Sequence, residues 1–199
     1  MADITVGDIK KITKGKLLCG NEYDICENFC IDSREIKSGN VFVGIKGERV
    51  NGNELYEEVL KKGAKCLILE NVEIPEDIIK KFTDSAIIIV EDTIKALQQI
   101  AEYKRNLYKI PVIAITGSVG KTSTKDIVAE VVSKKYKVLK TQGNLNNHIG
   151  LPLTILSLKD EEAMVVELGM SHLGEISTLT KIAKPTIALI TNVGTFLLY

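Results

Sequence analysis

Residues 111–126, PVIAITGSVGKTSTKD, constrain the fold more than any other part of the chain. The apolar, β-branched run 112–115 reads as a buried parallel strand. It stops at Gly117; Ser118 and Val119 form a short loop, and a helix begins at Gly120–Lys121–Thr122. Strand, glycine loop and helix N-terminus, in that order, are the context of a phosphate loop. Glycine lets the backbone turn sharply and lets its N–H groups approach a phosphate with no Cβ in the way. The first N–H groups of a helix have no partner inside it, and the helix dipole favours an anion there. Lys121 adds a full positive charge for the outer phosphates, and the Thr122 hydroxyl is a hard oxygen ligand suited to magnesium. Gly117, Ser118, Val119, Gly120, Lys121, Thr122 and Ser123 are therefore the candidate nucleotide contacts. The competing reading is a glycine turn beside a surface lysine. The helix is expected to turn Ile127, Val128, Val131 and Val132 to one face, with Lys125, Asp126 and Lys134 elsewhere.

A chain of 199 residues holds one large domain or two small ones, and with 45% apolar residues it needs neither metal nor disulfides to fold. Its 26 basic and 26 acidic residues balance, which argues against bulk binding to nucleic acid or an anionic membrane. MADITVGDIKK carries no apolar signal segment, and no run approaches the ~20 apolar residues of a membrane span. A cytoplasmic, monomeric protein without membrane insertion is expected. Cys19, Cys26, Cys30 and Cys66 lack paired C-x-x-C spacing, so reduced thiols are expected rather than a zinc site.

The fold class expected is α/β: a small N-terminal α/β domain followed by a parallel-sheet phosphate-loop domain. Residues 5–13 read as a short helix capped by Thr5, burying Val6, Ile9 and Ile12. Strands are expected at 41–45, 66–69 and 86–90, with helices at about 54–62 and up to Phe82. This first domain spans 1–92. From Thr93 the period becomes helical, with Ile94, Leu97, Ile100 or Ala101 and Leu107 on one side; 93–110 reads as a connecting helix. The second domain, 111–199, alternates strands at 112–116, 137–140, 163–167 and 186–191 with helices. Such repetition implies parallel strands joined by right-handed crossovers, with ligands beyond the C-terminal strand ends. Gly117, the loop TQGNLNNHIG, Glu167 and Asn192 all fall at those ends and should share one rim.

Five stretches carry a more specific signal: DSREIKSGNVFVGIKGERVNG at 32–52, ITGSVGKTSTKD at 115–126, TQGNLNNHIGLPLTIL at 141–156, ELGMSHLGEI at 167–176 and PTIALITNVG at 185–194. The general phosphate-loop pattern places four residues between its glycines, and here two stand between Gly117 and Gly120. The compact TGSxGKTST form, with the other stretches in order, resembles the Mur ligase family. GNLNNHIGLPLT together with ELGM…GEI favours the member that adds a dipeptide over sister ligases that add single amino acids.

The resemblance implies an ATP-dependent ligase that joins D-alanyl-D-alanine to UDP-N-acetylmuramoyl-tripeptide, a peptidoglycan precursor. ATP phosphorylates the substrate carboxylate, and an incoming amine displaces phosphate from the resulting acyl phosphate. It also implies Mg2+, with Thr122 and Glu167 as metal ligands and Lys121 and Glu167 as the catalytic pair. Asn144, Asn146 and Asn147 would orient the substrate; read without the resemblance, they form an ordinary turn. His148 is as readily a plain loop histidine, and His172 reads as structural or exposed. Ser33 and Arg34 match the family's DSR segment for the UDP-sugar, arginine suiting a diphosphate; otherwise Asp32 caps a turn and Arg34 pairs with an acid such as Glu35. Lys46 matches the substrate-domain pattern, as do Gly47 and Arg49.

Family enzymes have three domains, and this chain reads as the first plus a second that ends after its fourth strand. The apolar tail 195–199 reads equally as a truncation boundary, a frameshift product or an incomplete gene model, and the isolated chain is expected to be inactive. Three other functions compete: a non-catalytic UDP-sugar-peptide-binding module, a folylpolyglutamate-type ligase, and an unrelated phosphate-loop kinase or GTPase. The last lacks support, since no guanine-reading N-K-x-D segment is present.

Overall fold

The computed structural model describes residues 3–194; the tail 195–199 lies outside the described residues. The chain divides into two compact units, Asp3–Ile100 and the residues from Ala101 onward. The fold is mixed α/β with parallel-strand sheets, as expected.

The first unit runs β1 (Ile4–Thr5), α1 (Val6–Thr13), β2 (Lys16–Cys19), β3 (Ile25–Cys30), β4 (Asn40–Val43), α2 (Tyr56–Lys61), β5 (Cys66–Glu70), α3 (Glu76–Lys81) and β6 (Ala86–Val90); α4 (Thr93–Leu107) begins in it, and its residues from Ala101 on, Arg105 among them, belong to the second unit. Thr5 caps α1 through a reciprocal box: its Oγ1 accepts from Asp8 N at 3.1 Å, and Asp8 accepts from Thr5 N at 2.9 Å. The strand order is β1-β3-β4-β5-β6-β2. β3 through β6 are parallel, and β1 and β2 close the two edges antiparallel. Cys66, Leu67, Ile68 and Leu69 are all fully buried, as the central strand of a sheet covered on both faces requires. Leu67 and Leu69 share one cluster with Phe42, Val59, Leu60 and Ile78 from β4, α2 and α3.

Three of these strands, β1, β2 and β3, are absent from the expectation; β1 is only two residues long. β3 reads ICENFC, and its register shifts between Glu27 and Phe29, with Asn28 at φ 53°. An interrupted ladder leaves no period-two pattern to read. β2 is a four-residue edge strand with a register shift of its own.

The second unit contains β7 (Val112–Thr116), α5 (Lys121–Ser133), β8 (Val138–Lys140), α6 (Gly150–Leu156), β9 (Ala163–Glu167), α7 (Glu175–Ala183) and β10 (Ile187–Ile190). Its sheet is fully parallel, in the order β10-β7-β9-β8. β7 and β9 sit centrally, so their C-terminal ends, Thr116 and Glu167, face the same rim.

Two helix faces differ from the sequence reading. On α5, Ile127 and Val131 are each 66% exposed, whereas Lys125 and Ala129 are buried. The stripe facing the sheet is set by Lys125, Val128 and Ala129, and Val128 and Ala129 pack with Ile115 and Val165. Lys125 tolerates this because its stem is apolar and its Nζ donates to Thr141 O at 3.0 Å. On α4, Leu107 is exposed and Arg105 is buried. The Arg105 guanidinium donates to four backbone oxygens: Ala183 at 2.8 Å, Tyr108 at 2.6 Å, Ile110 at 3.2 Å and Lys184 at 3.3 Å. Burial pulls its pKa down.

Candidate functional site

The loop after β7 is shaped by what presses on it. Gly117 has φ +137°, and a Cβ there would sit 2.1 Å from Thr191 Oγ1. Gly120 caps α5 at φ +81°, and a Cβ there would meet nothing within 4 Å. The first glycine is required by close packing. The second opens onto free space at a helix start, where the first-turn amides have no partner within the helix. Lys121 Nζ lies over the same loop, donating to Gly117 O at 2.7 Å and Ser118 O at 3.4 Å.

Beside the loop, Thr122 Oγ1 donates to Glu167 Oε2 at 2.9 Å. The other carboxylate oxygen, Oε1, accepts from Asn146 Nδ2 at 2.8 Å. Glu167 is 2% exposed and is the last residue of β9. Its backbone N–H donates to Thr141 Oγ1 at 3.0 Å, and Thr141 is itself fully buried. Lys125 Nζ holds Thr141 from the other side through its carbonyl. The carboxylate is thus oriented from three elements, by hydroxyl, amide and buried clamp. A hydroxyl and a carboxylate next to unclaimed amides form a hard-oxygen and anion-binding set, which suits a magnesium–phosphate group. Among the described residues no cluster of three or more His, Cys, Asp or Glu could hold a metal by itself.

The three asparagines do different work. Asn146 reaches Glu167. Asn147 Oδ1 accepts from Ile149 N at 3.1 Å and Gly150 N at 2.8 Å, in the turn just ahead of α6. Asn144 is exposed, and its carbonyl accepts from Asn146 N at 2.8 Å. His172 is exposed beside Glu175, which accepts from the backbone N–H groups of Ser171 and His172; those bonds hold the Glu175 carboxyl below its usual range.

In the first unit, Ser33 and Arg34 line a cavity of about 480 Å³ together with Asp32, Ile45, Val50 and Leu55. The alternative pairing of Arg34 with an acid is present, with Asp32 in place of Glu35. Arg34 Nε donates to Asp32 Oδ1 at 2.9 Å, and Nη2 donates to Oδ2 at 2.5 Å. Those bonds hold the Asp32 carboxyl down at about 2. Lys46 lines a second cavity, of about 310 Å³, with Glu70, Asn71, Glu91, Asp92 and Thr93. The structure therefore groups Ser33 with Arg34 and places Lys46 apart from both.

Thr141, Lys125 and the side chain of Asn192 were not among the candidate site residues. Thr141 directly follows the β8 strand end on the shared rim, which is a positional signal. Lys125 carries none, since a lysine on a helix ordinarily reads as solvated. Asn192 Oδ1 accepts from both Ser118 N and Val119 N at 3.0 Å.

Comparison with known proteins agrees along the chain. A model of the Mur ligase middle domain matches residues 115–195, and one of the Mur ligase family catalytic domain matches 27–105. The UDP-N-acetylmuramoyl-tripeptide–D-alanyl-D-alanine ligase of Bacillus subtilis (strain 168) is 38% identical over 193 residues, covering 96% of this chain and 41% of that protein. A crystal structure of MurF from Acinetobacter baumannii superposes with TM-score 0.85 at 33% identity, over 98% of this chain and 42% of that one. MurF ligase from Thermotoga maritima in complex with ADP gives 0.75 at 38% identity, over 85% and 38%. The chain spans about two-fifths of the length of the curated relatives it matches. No described helix is long and apolar enough to cross a membrane.

Proposed function

The chain belongs to the Mur ligase family, and from that premise we propose that it is the substrate-recognising and nucleotide-binding part of an ATP-dependent ligase joining D-alanyl-D-alanine to UDP-N-acetylmuramoyl-tripeptide. In this reading 1–92 binds the UDP-substrate, 93–110 connects, and 111–199 belongs to the ATP domain. The protein is cytoplasmic and monomeric. Bound ATP with magnesium supplies the phosphoryl group that activates the substrate carboxylate.

The chain's own residues do the positioning. The first-turn amides of α5 and Lys121 hold the phosphates, which leaves the ammonium where negative charge accumulates during transfer. Thr122 and Glu167 would hold magnesium through oxygen ligands. Asn146 fixes which way the Glu167 carboxylate faces. Ser33 and Arg34 take the UDP diphosphate at the 480 Å³ cavity.

The observation that carries this reading is the Thr122–Glu167–Asn146 chain of hydrogen bonds at the mouth of the glycine loop. Calorimetric titration of the chain with UDP-N-acetylmuramoyl-tripeptide, and separately with ADP and magnesium, tests it. Binding of both, with ADP binding lost in Lys121→Ala and magnesium dependence lost in Glu167→Gln, is expected. A folded chain that binds the UDP-peptide alone would leave a substrate-binding module and remove the nucleotide assignment.

A further inference from the structure

The loop Gly117–Ser118–Val119 is tied to the exit of β10 along its whole length. Thr191 N donates to Thr116 O at 2.9 Å, Thr191 Oγ1 donates to Val119 O at 2.6 Å, and Gly194 N donates to Ser118 Oγ at 2.8 Å. Inside this seam two successive amides, Ser118 N and Val119 N, converge on a single atom, Asn192 Oδ1. Both partners are donors, so the atom facing them must be the amide oxygen. Successive backbone N–H groups converging on one point form an anion-binding concavity. Here that concavity is filled by a neutral oxygen from the protein itself.

We propose that Asn192 is a positioning residue of the nucleotide loop: its uncharged oxygen satisfies the amides of Ser118 and Val119, fixes the loop's curvature, and directs phosphate to the amides of the α5 first turn. The proposal rests on the reading of this loop as a nucleotide site. The requirement is for an acceptor that is also neutral. A carboxylate at the same place would accept the same two hydrogen bonds and keep the seam, but its charge would stand beside the incoming phosphates. A side chain with no acceptor would free the Val119 amide to capture phosphate one step too early in the loop, while Ser118 N would keep the Asn192 main-chain carbonyl at 3.2 Å.

The test compares Asn192→Asp and Asn192→Ala with the parent chain by ADP–magnesium titration at low and high sodium chloride. Thermal melting and amide exchange at Ser118 and Val119 accompany it. Asn192→Asp should keep the parent melting temperature and slow exchange at both amides, yet bind ADP at least about tenfold more weakly, with the deficit shrinking as salt rises. Asn192→Ala should exchange faster at Val119, and less so at Ser118, whose N–H retains the main-chain carbonyl of residue 192, and lose affinity without that salt dependence. If the alanine variant fails to fold, the aspartate variant, which retains both contacts, carries the test. A parent chain that binds ADP, with an aspartate variant that binds equally well, overturns the role of Asn192 and leaves the loop assignment standing. A folded parent chain that does not bind ADP overturns the loop assignment, and the role of Asn192 with it.

Discussion

Thr122 Oγ1 and Glu167 Oε2 meet at 2.9 Å although 45 positions separate them. The contact joins the first turn of α5 to the end of β9, so it depends on the parallel sheet being correctly ordered. Thr122 is exposed, and replacing it with valine should change stability little. It should weaken magnesium-dependent ADP binding by about tenfold or more, the scale of one hydrogen bond to a charged group. Titration with and without magnesium checks this; equal loss under both conditions would detach Thr122 from the metal.

The two loop glycines should respond differently to alanine. At Gly117 the added carbon falls 2.1 Å from Thr191 Oγ1, and the positive φ adds strain. Gly117→Ala should destabilise the second unit by about 1–3 kcal/mol and displace β10 from the loop. Gly120→Ala meets open space and should cost only the backbone strain, about 1 kcal/mol. Denaturant melts of the two variants give the ranking, and the reverse order would contradict it.

Lys125 is 3% exposed with its Nζ on Thr141 O and 3.3 Å from Asp126 Oδ1. Lys125→Ala removes both the packed stem and the donor and should destabilise by about 2–4 kcal/mol. Lys125→Met keeps the stem and should cost less. Both should loosen Glu167, seen as faster amide exchange at Glu167, whose N–H bonds Thr141 Oγ1. Unchanged exchange there would separate Lys125 from the site.

Thr93 is 1% exposed, and its Oγ1 is the buried side-chain oxygen without a partner among the described residues. Removing such a hydroxyl relieves its desolvation. Thr93→Val should stabilise the protein by about 1 kcal/mol, read as a higher urea midpoint at unchanged slope. A loss of stability would indicate that a water molecule serves the hydroxyl.

The Arg34 guanidinium holds Asp32 at about 2, below an ordinary carboxylate. A group with a depressed folded value contributes in full above its unfolded value, about 3.9, and loses that contribution as pH falls toward 2. Arg34→Ala should raise the Asp32 midpoint toward 3.9 in an NMR titration. Any stability difference between the two proteins should be present at pH 7 and disappear near pH 2. An unshifted midpoint would assign the depression to the backbone N–H of residue 34, which also donates to Asp32.

Much of this was legible in the chain. The buried strands 66–70, 86–90, 112–116 and 163–167 announce themselves by continuous apolar runs, and the Thr5 cap and the glycine loop by local chemistry. What stayed hidden depends on distant partners. β3 is a strand because β4 lies beside it, despite Glu27 and Asn28. Lys125 is buried because a carbonyl 16 positions away accepts its proton. Asn147 has the composition of a ligand contact, and that its side chain accepts two backbone N–H groups just ahead of α6 depends on the turn it sits in. Lys46 stands near Ile45 and Gly47 in sequence, but alternation along the backbone turns it to a different cavity from theirs.

Arg105 holds the start of the second unit through four main-chain oxygens and no side chain. Its grip is therefore on the course of the backbone, not on the identity of residues 108, 110, 183 and 184. This contact asks of those positions only that the path be kept, although Ala183 is itself fully buried and constrained by packing. No substitution at any of them can compensate for loss of the guanidinium, because the groups it serves belong to every amino acid alike. A second-site rescue of a change at 105 would have to supply a new donor from elsewhere.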